Sequence, residues 1–237
     1  MNPPACTHAA PARRGSSLAY ELVVFDWDGT LMDSAGKIVN CFAAAAADVG
    51  LAFPGEAAVR NVIGLGLQEA MDALFPGEDP RRVAALVARY REHFLHLDRT
   101  PMPLFPGVAE GLRRLAGLGL RLAVATGKSR RGLQRVLEAT GLETLFCASR
   151  CADEAGSKPH PRMLQEILAQ TQVVPARALM VGDTVYDLEM AARAGMPAAA
   201  VSYGVHDRRR LEALAPVACH DSFVQLQRWL AAEVAGQ

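Results

Sequence analysis

No surplus of either charge marks this sequence. Its 25 basic and 25 acidic residues cancel, which removes the global attraction that nucleic acids or anionic membranes exert on a basic chain. A small-molecule partner is expected, with neither nucleic acid nor membrane. There is also no apolar run of the roughly 18 to 20 residues that a membrane helix needs. Met1 to Ser17 contains Pro3, Pro4, Pro11, Arg13 and Arg14 but lacks the apolar stretch of a secretory signal. We read residues 1–19 as a mobile tail, its two arginines too few for a basic arm. A disulfide framework is missing too: Cys6, Cys41, Cys147, Cys151 and Cys219 are odd in number and scattered, which fits a reducing cytoplasm. Cys147 and Cys151 are four apart, but no second cysteine pair or histidine pair accompanies them, so separate thiols are expected rather than a zinc site.

Apolar residues are plentiful, 51% of 237, enough for a sizeable core in one large domain or in one domain with an insert. Leu22-Val23-Val24-Phe25 reads as a buried strand. Helical spacing then holds for about seventy residues. Ser34 is placed to cap a helix with apolar positions Ile38, Phe42, Ala45, Ala46 and Val49, closed by Gly50. Further helices are expected over 67–74 and 80–97, before Pro101, Pro103 and Pro106 interrupt the pattern. From Gly107 onward, helices at 107–117, 129–140, 159–170 and 185–194 alternate with strands at 120–125, 145–148, 178–181 and 198–201, and helices near 207–214 and 221–234 end the chain. The alternation predicts an α/β fold: a Rossmann-like parallel sheet core from 20–33 and 106–237, with an α-helical insert over 34–105.

Asp26-Trp27-Asp28-Gly29-Thr30 begins where the first strand ends. Open α/β sheets bind ligands at the carboxyl ends of their strands. Two carboxylates there point to phosphoryl transfer, with Asp26 placed to attack phosphorus and Asp28 to move protons. A carboxylate approaching an anionic phosphate needs cations nearby. Thr126-Gly127-Lys128 offers a hydroxyl and main-chain N–H groups at a helix start, a natural phosphate cradle. Lys158, held extended by Pro159, offers an ammonium for the phosphate and for Asp26. Gly182-Asp183-Thr184-Val185-Tyr186-Asp187 adds two carboxylates of the kind that bind Mg²⁺. Each motif alone has an ordinary structural explanation as well: a turn at Asp26 to Thr30, a helix cap at Thr126, a solvated turn lysine at Lys158, and helix-start charge at Asp187.

Four strand ends bearing, in order, DxD, Thr, Lys-Pro and DxxxD resemble the haloacid dehalogenase superfamily of phosphohydrolases, over about residues 20–230. The resemblance implies that Asp26 is phosphorylated and that Asp28 protonates the leaving group and then activates water. It implies that Thr126 and Lys158 bind the phosphoryl group, with Gly127 and Lys128 beside them in the substrate site. Mg²⁺ would be held by Asp26, the main-chain carbonyl of Asp28, and Asp183, with Asp187 in support. The insert would be a cap that closes over the site. Within it, Asn61-Val62-Ile63-Gly64-Leu65-Gly66-Leu67 resembles the substrate loop of the phosphoglycolate phosphatase-like branch. Gly64 and Gly66 permit close backbone approach and Arg60 offers a carboxylate or phosphate partner, although a plain glycine turn explains the same residues. Trp27 replaces the phenylalanine or leucine common between the two aspartates. The function implied is Mg²⁺-dependent hydrolysis of a small phosphorylated metabolite, 2-phosphoglycolate or a sugar phosphate, through an aspartyl phosphate. The alternatives are a phosphoglucomutase-like phosphotransferase and a non-catalytic binding module on the same fold. No feature of the sequence sets an oligomeric state.

Overall fold

Strand β1 (Leu22–Phe25) is apolar at every position, and the sheet buries both of its faces. A computed structural model describes residues 20–235 of the chain; the tail expected over 1–19, with Arg13, Arg14 and Cys6, lies outside the described residues. Five more strands run parallel to β1: β2 (Arg121–Thr126), β3 (Phe146–Cys151), β4 (Ala178–Gly182), β5 (Ala198–Val201) and β6 (Ala218–His220), in the order β3-β2-β1-β4-β5-β6. Val24 of β1 lies opposite Ala123 on one side and Met180 on the other. The chain leaves β1 in one direction as far as β3 and returns on the other side at β4. The crevice between the carboxyl ends of β1 and β4 is therefore the switch point where such sheets bind ligands.

Between β1 and β2 lie α1 (Ala35–Asp48), α2 (Glu56–Val62), α3 (Leu67–Leu74), α4 (Pro80–Glu92) and α5 (Val108–Gly117). The later helices are α6 (Arg130–Thr140), α7 (Ala152–Ala155), α8 (Arg162–Thr171), α9 (Val185–Arg193), α10 (Arg208–Glu212) and α11 (Phe223–Ala235). The period-two alternation of β1 divides the core. Val23 and Phe25 pack with α5, α6 and α11, whereas Leu22 and Val24 pack with α8 and α9. Helices α1 to α4 bury a third cluster among themselves, including Ile38, Phe42, Val59, Met71 and Leu86. The fold is thus a Rossmann-like parallel α/β core with an inserted α-helical cap. No helix among the described residues is long and apolar enough to cross a membrane.

Several local expectations need correction. Ser34 does not cap α1 with its side chain; its hydroxyl is turned to Asp28 instead. The helix expected over 80–97 ends at Glu92, and His93–Leu97 forms a π-helical turn closed by Asp98 N donating to His93 O at 2.9 Å. The helix expected from 159 starts at Arg162, because Pro161 disfavours the helical conformation for His160 before it. Helix α2, only seven residues long with Val59 and Val62 as its buried positions, shows too little periodicity to be read from sequence. Strand β6 is a half-buried edge of three residues and carries no alternation to read.

Candidate active site

The parallel register brings the loops after β1, β2 and β4 to one edge, and Lys158 joins them from the segment between α7 and α8. Asp26 extends β1, its N–H donating to Val181 O of β4 at 2.9 Å. Trp27 points the other way into the core, and its carbonyl accepts from Leu31 N and Met32 N to close the turn. Gly29, at φ +82°, packs its α-carbon against the Asp183 carboxylate, where a side chain would collide with it. Its glycine is therefore required twice, by conformation and by space.

Asp26, Lys158, Asp183 and Asp187 are all buried. Lys158 Nζ lies 2.6 Å from Asp26 Oδ1 and 2.7 Å from Asp187 Oδ1. Asp187 Oδ2 accepts from Thr184 N at 3.1 Å and Thr184 Oγ at 2.6 Å, a capping box that opens α9. Asp183 accepts from Thr30 Oγ at 2.7 Å and from Val205 N at 2.8 Å. Asp26 Oδ1 faces Lys158 Nζ, and Asp26 Oδ2 has no hydrogen-bond partner. Ligating oxygens of Asp26, Asp183 and Asp187 fall within 4.8 Å of one another. That trio is the one such grouping among the described residues.

One ammonium faces three carboxylates in this pocket, and the titration behaviour follows. Burial pushes the Asp26 carboxyl well above the usual carboxylate range; Lys158 opposes the shift, while Asp187 and Asp183 add to it. Burial, with Asp187 next, pushes Asp183 up to about 7 despite the bonds from Val205 and Thr30. Burial alone would lower Lys158, but Asp187 and Asp26 outweigh it and raise it. The pocket is short of positive charge.

Asp28 faces away from that cluster. Its Oδ1 accepts from Ser34 Oγ at 2.5 Å and pairs with Lys128 Nζ at 2.9 Å. The sequence expectation for Asp28 concerned its main-chain carbonyl, and its side chain is not among the three grouped carboxylates. Thr126 is buried at the end of β2, and its hydroxyl oxygen accepts from Lys128 N at 3.2 Å, so its own proton remains to be donated.

The cap meets this edge through the loop after α2. A side chain on Gly127 would run into the carbonyl groups of Gly64 and Leu65, so main chain lies directly on main chain there. Gly64, at φ +101°, abuts Thr184 and Tyr186, and Gly66 N donates to Ser157 Oγ at 2.8 Å. Asn61 anchors the start of the loop, accepting from Tyr186 Oη at 2.9 Å and from Arg210 at 2.5 Å. Arg60 does not join the buried carboxylate cluster. It pairs with Glu56 at 2.7 Å and borders a cavity of about 250 Å³ that also touches Asp33, Gly29, Tyr203 and Gly204.

Sequence reasoning missed four supports of this site: Ser34 and Lys128 as partners of Asp28, Thr30 as a partner of Asp183, and Phe94 beneath Lys128. Phe94 carries only a helical-stripe signal, yet Lys128 Nζ lies 5.2 Å from its ring centroid. Thr30 lies within the first motif, a position that does offer a signal, but its partner is 153 residues away.

Residues 23–201 match the family model for haloacid dehalogenase-like hydrolases. The chain is 40% identical over 210 residues to the probable phosphatase IndB of Dickeya dadantii, covering 86% of this chain and 91% of that protein. It is 32% identical over 222 residues to a phosphoglycolate phosphatase of Rhodospirillum rubrum, covering 88% and 90%. The crystal structure of a predicted phosphoglycolate phosphatase from Haemophilus somnus aligns with a TM-score of 0.79 at 25% identity, covering 89% of this chain and 98% of that one.

Proposed function

From its membership of the haloacid dehalogenase-like hydrolase family, to which the chain belongs, we propose that this protein is a Mg²⁺-dependent phosphatase for a small phosphomonoester of the 2-phosphoglycolate or sugar-phosphate type. One observation carries the reading. A buried aspartate at a strand end is held through Oδ1 2.6 Å from a buried lysine, while its Oδ2 has no hydrogen-bond partner. A structural carboxylate would have its oxygens satisfied; a nucleophile needs one available.

The donor set fits Mg²⁺. Three buried carboxylates with one ammonium leave negative charge uncompensated, and hard oxygen ligands suit that ion. Asp26, Asp183 and the main-chain carbonyl of Asp28 would hold it, with Asp187 fixing Lys158 rather than ligating. When bound, the ion supplies charge stabilisation to the phosphoryl oxygens.

The chain's own residues do the rest. Asp26 bonds to phosphorus while the bond from phosphorus to the alcohol oxygen breaks, and that oxygen takes a proton from Asp28. A water then gives its proton to Asp28 and bonds to phosphorus, releasing the Asp26 carboxylate and inorganic phosphate. Thr126 and Lys158 hold the phosphoryl oxygens through both steps. Helices α1 to α4, with the loop on Gly127, shield the first step from bulk water. A direct test is turnover of p-nitrophenyl phosphate with and without EDTA, coupled to acid-quench trapping of phosphate on Asp26. Failure to hydrolyse any phosphomonoester in the presence of Mg²⁺ would overturn the reading.

A further inference from the structure

The loop after β5 adds no carboxylate to the buried trio, yet it touches both loops that would supply the cation's ligands. Tyr203 Oη donates to the Thr30 carbonyl at 2.7 Å, inside the turn that follows β1. The next three residues close on Asp183, just past β4. Gly204 packs its α-carbon on the carboxylate, where a side chain's Cβ would fall 2.2 Å from Oδ2. Val205 N donates to the same oxygen at 2.8 Å, and His206 N donates to the Asp183 carbonyl at 3.3 Å. Phe105 braces the Tyr203 ring edge to face, with centroids 4.7 Å apart.

The proposed ligands come from two separate loops: Asp26 and the Asp28 carbonyl from the turn after β1, and Asp183 from the turn after β4. Carboxylates brought together in a buried site repel one another, so the two turns need a tie that does not depend on the ion. Thr30 Oγ supplies part of it by donating to Asp183 Oδ1 at 2.7 Å. That bond depends on where the Thr30 main chain sits, and Tyr203 is the side chain that holds the Thr30 carbonyl. With one donor on each oxygen, the Asp183 carboxylate is fixed in orientation and still has lone pairs to offer a cation.

We propose that Tyr203 is a positioning residue for the divalent cation: its hydroxyl pins the turn after β1 to the loop that grips Asp183, so the ligands are set before the ion arrives. The inference rests on the metal-dependent phosphatase reading and adds to it a residue that acts through Thr30. It concerns the hydroxyl rather than the ring, whose packing on Phe105 accounts for an aromatic residue but not for its oxygen.

The test measures the Mg²⁺ affinity of the full chain by titration calorimetry without substrate, together with the metal-free melting temperature. Tyr203→Phe keeps the ring and removes the donor. Its Mg²⁺ Kd is expected to rise about 10-fold, the lower end of the range for groups that orient metal ligands, while the metal-free melting temperature stays within a few degrees of native. Thr30→Val should raise Kd further, and the double variant should add little to it because the two groups act in series. For Tyr203→Phe, the Mg²⁺ concentration giving half-maximal p-nitrophenyl phosphate turnover should rise with Kd, while kcat at saturating Mg²⁺ stays near native. Ser202→Ala is the control: that hydroxyl lies in the same loop but bonds to His220 O at 3.3 Å and to Asp221, so Kd should not change. An unchanged Kd in Tyr203→Phe, an equal rise in Ser202→Ala, full additivity in the double variant, or a large fall in the metal-free melting temperature of Tyr203→Phe would each overturn the inference and leave the phosphatase reading intact. Absence of Mg²⁺ binding by the native chain would overturn both.

Discussion

Lys158 Nζ and Asp26 Oδ1 are 2.6 Å apart, with both side chains sealed from solvent. The pairing holds the proposed nucleophile in place, yet burial still pushes the Asp26 carboxyl up. Its ionised form is thus under strain in the metal-free protein, and the expected effects of substitution separate activity from stability.

Asp26→Asn should remove turnover altogether, since an amide cannot form the acyl phosphate. It should not lower the melting temperature, because it deletes a carboxylate whose charged form the fold disfavours. Thermal melts alongside phosphatase assays check both; a fall of several degrees would mean that the carboxylate stabilises the fold.

Lys158→Ala leaves Asp26 and Asp187 buried without their common cation. Breaking a buried pair of this kind costs about 3–5 kcal/mol, so a large loss of stability is expected by denaturant titration at pH 8. Every phosphomonoester should lose activity together if, as proposed, the deleted ammonium serves the phosphoryl group that all of them share.

Mg²⁺ binding should be coupled to proton release. Asp183 is pushed up to about 7, so its contribution to metal-free stability is fully present below the unfolded carboxyl value and is lost as pH rises through about 7. The metal-free melting temperature should therefore rise as pH is lowered from about 8 to about 5. Added Mg²⁺ should stabilise more at the upper end of that range, and EDTA should stop turnover until Mg²⁺ is restored. An equal Mg²⁺ effect on melting at both ends would contradict the coupling.

Asp28→Asn should slow turnover by about 10²–10⁴-fold, the usual contribution of general acid–base catalysis. The loss should be larger for an alkyl phosphate than for p-nitrophenyl phosphate, whose phenolate leaves without a proton. Equal losses for the two would remove Asp28 from the acid's role in the first step.

Gly127→Ala puts a methyl group where the Gly64 and Leu65 carbonyls lie, so the cap loop must lift. We expect kcat/KM for small natural esters to fall more than for p-nitrophenyl phosphate, since orientation by the cap is lost while the core still grips phosphate. Changes at Gly64, Gly66 and Arg60 should act in the same direction, with Arg60 weakest because its guanidinium is paired with Glu56. Parallel losses for both substrates would assign the loop a purely structural part.

Much of this arrangement was legible along the chain. The four apolar residues of β1, the alternation after Gly107 and the helical stripe of Ile38 and Phe42 are local patterns. A strand or helix buries a face according to its own period. Asp26, Thr126 and Asp183 were legible for the same reason, since each lies at the end of a strand that an apolar run announces, whereas Lys158 lies beyond α7 and was marked only by the proline after it. Partners were not legible. Ser34 looked like a helix cap because its sequence neighbours fit one, but the turn after β1 brings Asp28 within 2.5 Å of its hydroxyl. Thr30 and Asp183 meet only because β1 and β4 are adjacent in a sheet whose order differs from the order of the chain. Lys128 and Phe94 belong to different layers, and only the docking of the cap on the core sets one over the other. Periodicity fixes which side of an element turns inward. Which distant group it meets there depends on sheet order and on layer packing, and those are properties of the whole chain folded at once.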